Sequence, residues 1–176
     1  MKLFVILTVA ALLAGGVAFA FARTPQPIDR TTVRTLDPNR YMGRWYEIAR
    51  YDHSFERNLA QVQALYTLQP DSRITVENSG VDTRSGRRSV AHGKARTTAD
   101  PGRLRVSFFW IFYSDYNILE LDPDYRWALV GSRSPKYLWI LSRTPTLAPE
   151  TLDEILRRAR ARGYDTSRLI YVQQPE

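Results

Sequence analysis

At 176 residues and 20.3 kDa, with 44% hydrophobic and 24% charged residues, the chain has the length and composition of one ordinary globular domain. It has no cysteine, which excludes a disulfide framework, a thiolate metal site, a thiol nucleophile and lipid attachment through a cysteine. Two histidines far apart, His53 and His92, argue against a His-rich metal site, so no metal is expected. The formal charge of +7 points to anionic partners without choosing among nucleic acid, membrane surface and small anions.

Met1-Lys2 is followed by an uncharged apolar run that ends Ala20-Phe21-Ala22. A basic start, an apolar run and a small-x-small end read as a secretory signal cleaved near Ala22. The run is also long enough to span a bilayer, so an uncleaved anchor over residues 3–22 is the alternative. Either way the rest of the chain lies outside the cytoplasm. Residues 1–22 are thus the signal or anchor, 23–40 an extended leader, and 41–176 the domain.

From Gly43 onward, strand-length segments alternate with turn chemistry. They are Arg44–Tyr51, Ala60–Leu68, Arg73–Val81, Ser89–Thr98, Leu104–Phe109, Tyr116–Asp122, Tyr125–Ser132 and Tyr137–Arg143. Pro70-Asp71, Asp100-Pro101-Gly102 and Asp122-Pro123-Asp124 are among the turns that separate them. Eight short strands with short connections predict an all-β antiparallel sheet or barrel. Pro149 opens a helix carrying Leu152, Ile155, Leu156 and Ala159 at helical spacing, acidic early, basic late, and stopped by Gly163. Its basic run reads as a solvated face. A ninth strand, Arg168–Gln173, follows.

Alternation assigns faces. Leu104, Val106 and Phe108 point inward, as do Val62, Ala64 and Tyr66. Glu120 facing water places Asn117, Leu119 and Leu121 inside. Tyr137, Trp139 and Leu141 share one face of the last long strand, and Leu138 and Ile140 the other. One of those faces suits a barrel interior and the other a covering helix.

Three blocks give this order a resemblance. Gly43-Arg44-Trp45-Tyr46 matches a G-x-W opening, Ser114-Asp115-Tyr116 is similar to a T-D-Y block, and Arg143 ends the eighth strand. Together with WYEIAR, YNILELD, LWILSRTP and VQQP, they resemble the lipocalin family, in its bacterial branch related to apolipoprotein D. The resemblance implies an eight-stranded antiparallel up-and-down barrel with a C-terminal α-helix packed outside and a short ninth strand. It implies that Arg143 packs across Trp45 to close one end, with Gly43 allowing the turn into the first strand. Bacterial relatives are typically lipoproteins with a lipobox cysteine. This chain has none, so the expectation is a periplasmic or secreted protein that is not a Cys-linked lipoprotein.

Such a barrel holds one small ligand. The expected cavity residues are Val62, Ala64, Tyr66, Val76, Phe108, Leu119, Trp127, Leu129 and Trp139, with Glu47, Asn78 and Asn117 as polar groups in the same phase. That mixture suits an acyl chain oriented by few hydrogen bonds. The function expected is binding or transport of fatty acids or lysophospholipids in the bacterial envelope. Phe108-Phe109-Trp110-Ile111-Phe112-Tyr113 cannot all face one cavity. Some of these side chains are expected at a rim, against a membrane surface or a second copy in a homodimer. A haem-binding or other hydrophobic small-molecule barrel is the alternative, but His92 shares a face with Lys94 and so points outward. No catalytic arrangement, and no cofactor, is read from the sequence, and the dispersed arginines argue against nucleic acid.

Overall fold

Turn chemistry and alternation do produce strands. In a computed structural model that describes residues 27–109 and 112–175, they are β1 (Gly43–Tyr51), β2 (Leu59–Leu68), β3 (Ile74–Asp82), β4 (Arg88–Thr97), β5 (Arg103–Phe109), β6 (Phe112–Leu121), β7 (Trp127–Gly131), β8 (Leu138–Ser142) and β9 (Leu169–Tyr171). The helices are α1 (Pro38–Tyr41) and α2 (Pro149–Ala161), with a 3-10 turn at Thr166–Arg168. The signal or anchor reading of residues 1–22 lies outside the described residues, as do Trp110 and Ile111 of the expected rim.

Each strand pairs antiparallel with the next, in the order β2-β3-β4-β5-β6-β7-β8-β1-β9. The barrel closes where β1 returns to β2, over Gly43↔Tyr66 to Tyr46↔Gln63. Beyond that point β1 pairs with β9, at Ala49↔Tyr171 to Tyr51↔Leu169. The C-terminal segment fills the gap between β1 and β2. Gln174 Nε2 donates to the Glu47 and Val62 carbonyls, at 2.7 and 3.0 Å.

Among the register slips in the sheet, those in β1 and β6 change which side chains enter the barrel. In β1 the pairing with β8 slips between Glu47 and Ala49, so Ile48 and Ala49 both lie in the outer core while Glu47 and Arg50 both turn inward. In β6 the pairing with β7 slips between Ile118 and Glu120. Ile118 and Leu121 pack in the inner core, and Leu119 lies in the outer one. Glu120 faces outward too, and its carboxylate takes Arg158 at 3.1 Å and Arg162 at 2.7 Å.

The outer core lies between α2 and the barrel wall. Ile155 and Ala159 of α2 are fully buried there against Tyr51, Leu138, Ile140 and Tyr164. Gly163 ends the helix at φ +88°, a conformation that favours glycine. The basic run is not wholly a solvated face. Arg162, with its side chain 16% exposed, bonds Glu120, the Leu119 carbonyl and Asp29, and so clamps helix, barrel and leader together. The leader is held as well. Val33 N donates to the Ile118 carbonyl at 2.9 Å, and Asp37 caps α1.

Candidate ligand-binding cavity

The inward faces converge on two features, a closed end and a cavity. At the closed end Gly43 enters β1 at φ +91°, which is why glycine stands there. Trp45 is fully buried and its Nε1 donates to the Tyr41 carbonyl at 2.9 Å. The Arg143 guanidinium lies 3.8 Å from the Trp45 ring centre, and its nitrogens donate to the carbonyls of Arg40, Tyr41, Arg44 and Tyr125.

Above Trp45 lies a cavity of about 490 Å³. Of the residues expected from the sequence, Val62, Ala64, Tyr66, Phe108 and Trp139 line it, with Glu47 and Asn78 as polar members. Phe108 lies across Gly93, where any Cβ would stand 2.8 Å from its ring. The other expected residues do not line the cavity. Val76 is inward but packs below it with Tyr66 and Ile74. Leu119, Trp127 and Leu129 belong to the outer core under α2. Asn117 faces outward and accepts from Arg103 Nε at 3.3 Å. The β6 bulge reverses the phase after Ile118. β7 is buried on both faces and carries no polar residue to mark its outer side.

Several lining residues were not among those expected. Phe55 and Glu56 come from the β1–β2 loop, and Tyr116 and Ser114 from β6. Behind Glu47 and Glu56 lies Arg50, which alternation would have sent outward. Its Nη1 donates to Glu47 Oε1 at 2.7 Å and its Nη2 to the Glu56 carbonyl at 2.6 Å. Glu56 Oε2 accepts from Trp139 Nε1 at 3.2 Å. His53 Nε2 stands 3.0 Å from the same oxygen without hydrogen-bonding alignment. Phe55 stacks over the His53 ring at 3.9 Å between centroids. Burial pushes the Glu47 carboxyl well above the usual carboxylate range, and the nearby Glu56 charge adds to the rise, while Arg50 opposes it. His92, on which a haem site would depend, points outward, with its side chain 76% exposed and Nδ1 3.9 Å from Glu77.

The cavity mouth is ringed by the β1–β2 loop, the β3–β4 turn and the β7–β8 connection. The Thr83 amide donates to the Asn58 carbonyl at 2.8 Å, joining the first two, and Tyr137 of the third packs on His53. Phe55 is 62% exposed and Phe108 43% exposed at this mouth. Arg84, Arg87, Arg133 and Lys136 are exposed on the same turns, and Arg88 is exposed at the start of β4.

Comparison with known proteins agrees with this geometry. A family profile described as a lipocalin-like domain matches residues 36–174. The outer membrane lipoprotein Blc of Escherichia coli (strain K12) is 46% identical over 169 residues, spanning 95% of this chain and 96% of its own. Apolipoprotein D of Bos taurus is 33% identical over 149 residues, 79% of this chain and 76% of its own. Insecticyanin from the tobacco hornworm Manduca sexta superposes with a TM-score of 0.70 over 84% of this chain and 86% of its own, at 20% identity, a likeness of fold alone.

These relatives correct the expected location. The sequence argued for a periplasmic or secreted protein outside the Cys-linked lipoproteins, whereas relatives aligned over 95% of the chain are named outer membrane lipoproteins. The absence of cysteine from the 176 residues remains a property of the sequence, but it does not carry the location.

An up-and-down barrel closed by a tryptophan under an arginine, enclosing a largely apolar cavity and matched by family profile from residue 36 to residue 174, identifies this chain as a member of the lipocalin family, proteins that bind small hydrophobic molecules.

Proposed function

We propose that this lipocalin binds an acyl-chain amphiphile, a fatty acid or lysophospholipid, in the barrel cavity and exchanges it at a membrane surface of the bacterial envelope. The observation that carries the reading is the distribution of polarity in the cavity. Val62, Ala64, Val106, Phe108 and Leu141 supply an apolar wall, whereas Glu47 and Glu56 are placed on the side of the β1–β2 loop. A chain fits the wall, and a polar head fits the loop side. About fifteen buried methylenes contribute roughly 12 kcal/mol, and association costs at least ~4 kcal/mol, leaving about 8 kcal/mol, the micromolar range.

Exposed Phe55 and Phe108 beside five basic residues around the mouth support contact with an anionic lipid surface, where a ligand could pass without crossing water. The proposed role is binding and carriage, without catalysis. Native mass spectrometry of protein taken from its own host envelope tests the reading. A one-to-one adduct with the mass of a fatty acid or lysophospholipid supports it. A co-purifying ligand with no acyl chain contradicts it.

A further inference from the structure

The lower cavity contains polar groups that a plain hydrocarbon chain leaves unused. Tyr41, Tyr66 and Tyr116 meet there from α1, β2 and β6. The Tyr66 hydroxyl donates to that of Tyr116 at 3.3 Å, and the Tyr41 and Tyr116 hydroxyls share a bond of 2.7 Å. Burial keeps all three protonated, pushing Tyr66 up to about 12 and the other two well above the ordinary phenol value. Three hydroxyls thus bring three hydrogens to two bonds. Tyr41 is fully buried outside the cavity lining, whereas Tyr116 lines the cavity. With Tyr41 donating, Tyr116 accepts twice and its own hydrogen is free for the cavity.

The wall also offers an acceptor. Asn78 lines the cavity from β3, two residues beyond Val76, and its buried Oδ1 has no partner. Hydrocarbon serves neither group, and buried polar groups are stable when matched. Among the described residues the lining contains no lysine, arginine or histidine, so a carboxylate lying head-down against the phenols would be buried without a countercharge. A hydroxyl both accepts and donates and carries no charge.

We propose that Tyr116 and Asn78 form a subsite for a hydroxyl group on the buried part of the ligand, so that the barrel prefers a hydroxylated acyl chain to the unsubstituted one. This rests on the acyl-chain reading of the cavity and deepens it. Hydroxylation elsewhere on the ligand, near the mouth, would bring no such gain.

The test is a calorimetric titration of the full chain with matched pairs: dodecanoic and 12-hydroxydodecanoic acid, hexadecanoic and 16-hydroxyhexadecanoic acid, and hexadecanoic and 10-hydroxyhexadecanoic acid. At least one hydroxylated acid should bind about fivefold or more tightly than its parent, the value of one net hydrogen bond. Tyr116→Phe and, independently, Asn78→Leu should erase that preference while the parent acid still binds. A wild-type protein that binds every parent at least as well as its hydroxylated partner overturns the subsite and leaves the acyl-chain cavity standing. So does a preference that survives both substitutions. If neither parent nor hydroxylated acids bind, the acyl-chain reading itself falls, and the subsite falls with it.

Discussion

The Arg143 guanidinium lies 3.8 Å from the centre of the fully buried Trp45 ring, and the same group holds four backbone carbonyls around it. The cation faces an aromatic surface and its donors are matched, so a half-buried charge is stable there. The pair joins the start of β1 to the residue after β8, and so closes the barrel end opposite the mouth.

Trp45→Ala should therefore cost about 3–5 kcal/mol of stability, as for other large truncations in a core. Arg143→Ala should also destabilise, by removing the cation–π contact, worth roughly 0.5–2 kcal/mol, and by leaving carbonyls unmatched. In urea unfolding, the double variant should lose less than the two single losses combined, because the groups touch. Additive losses would show that they do not stabilise one another.

Glu47 makes stability depend on pH in a definite direction. Its native carboxyl titrates well above the ordinary value of 4.5, first from burial and then from Glu56. A raised native value means that the folded state binds the proton more tightly. The stabilisation is fully present below about pH 4.5, the unfolded value, and is lost as pH rises through the native value. Glu47→Gln removes this dependence and keeps an acceptor for Arg50. Wild-type stability relative to Glu47→Gln should therefore fall as pH rises above about 4.5 and then level off. A difference that is flat from pH 4 to 9, or that grows with pH, would contradict the assignment.

The mouth should meet anionic lipid before any other part of the barrel. Hydrogen exchange in the presence of phosphatidylglycerol vesicles should slow in the Asp52–Asn58 loop and in the turn that carries Arg84 and Arg87. The turn around Asp122–Arg126, at the closed end, should be unchanged. Phosphatidylcholine vesicles should have little effect, and Arg87→Glu with Arg88→Glu should weaken the protection about tenfold or more in lipid concentration, at roughly 1 kcal/mol per charge near the surface. Equal protection at both ends of the barrel, or none at the mouth, would contradict the contact.

The strands were legible because turn residues bound them, as at Pro70-Asp71 and Asp122-Pro123-Asp124, and because alternation marks their faces. Leu138 and Ile140 against Trp139 and Leu141 were separable in this way. The phase was lost where backbone geometry departs from period two. Leu119 and Glu120 both face outward across the β6 bulge, so an outward Glu120 no longer implies an inward Leu119. In Trp127–Gly131 every residue is buried, and no polar side chain marks the outside. Of the charged groups at the cavity, Glu47 was legible, whereas Glu56 and the Arg50 behind it were not, for a related reason. Arg50 turns inward only because the β1 bulge adds a residue between it and Glu47, and Glu56 comes from a loop, where alternation says nothing. α1, four residues long, lies in a stretch that reads as extended leader.

The most direct test of an internal acyl site is calorimetric titration of hexadecanoic acid into the wild-type chain, Trp139→Asp and Arg158→Glu. Trp139 lines the cavity, and Trp139→Asp adds a carboxylate beside Glu56 where the chain must lie. Arg158 lies on α2, across the wall, bonded to Glu154 and Glu120. The wild type should show one site per chain at micromolar affinity, Trp139→Asp a loss of about tenfold or more, and Arg158→Glu an affinity within about twofold of wild type. A folded Trp139→Asp that binds like the wild type, or an affinity that follows Arg158 and salt instead, would place the ligand on the outer surface and contradict the cavity as the site.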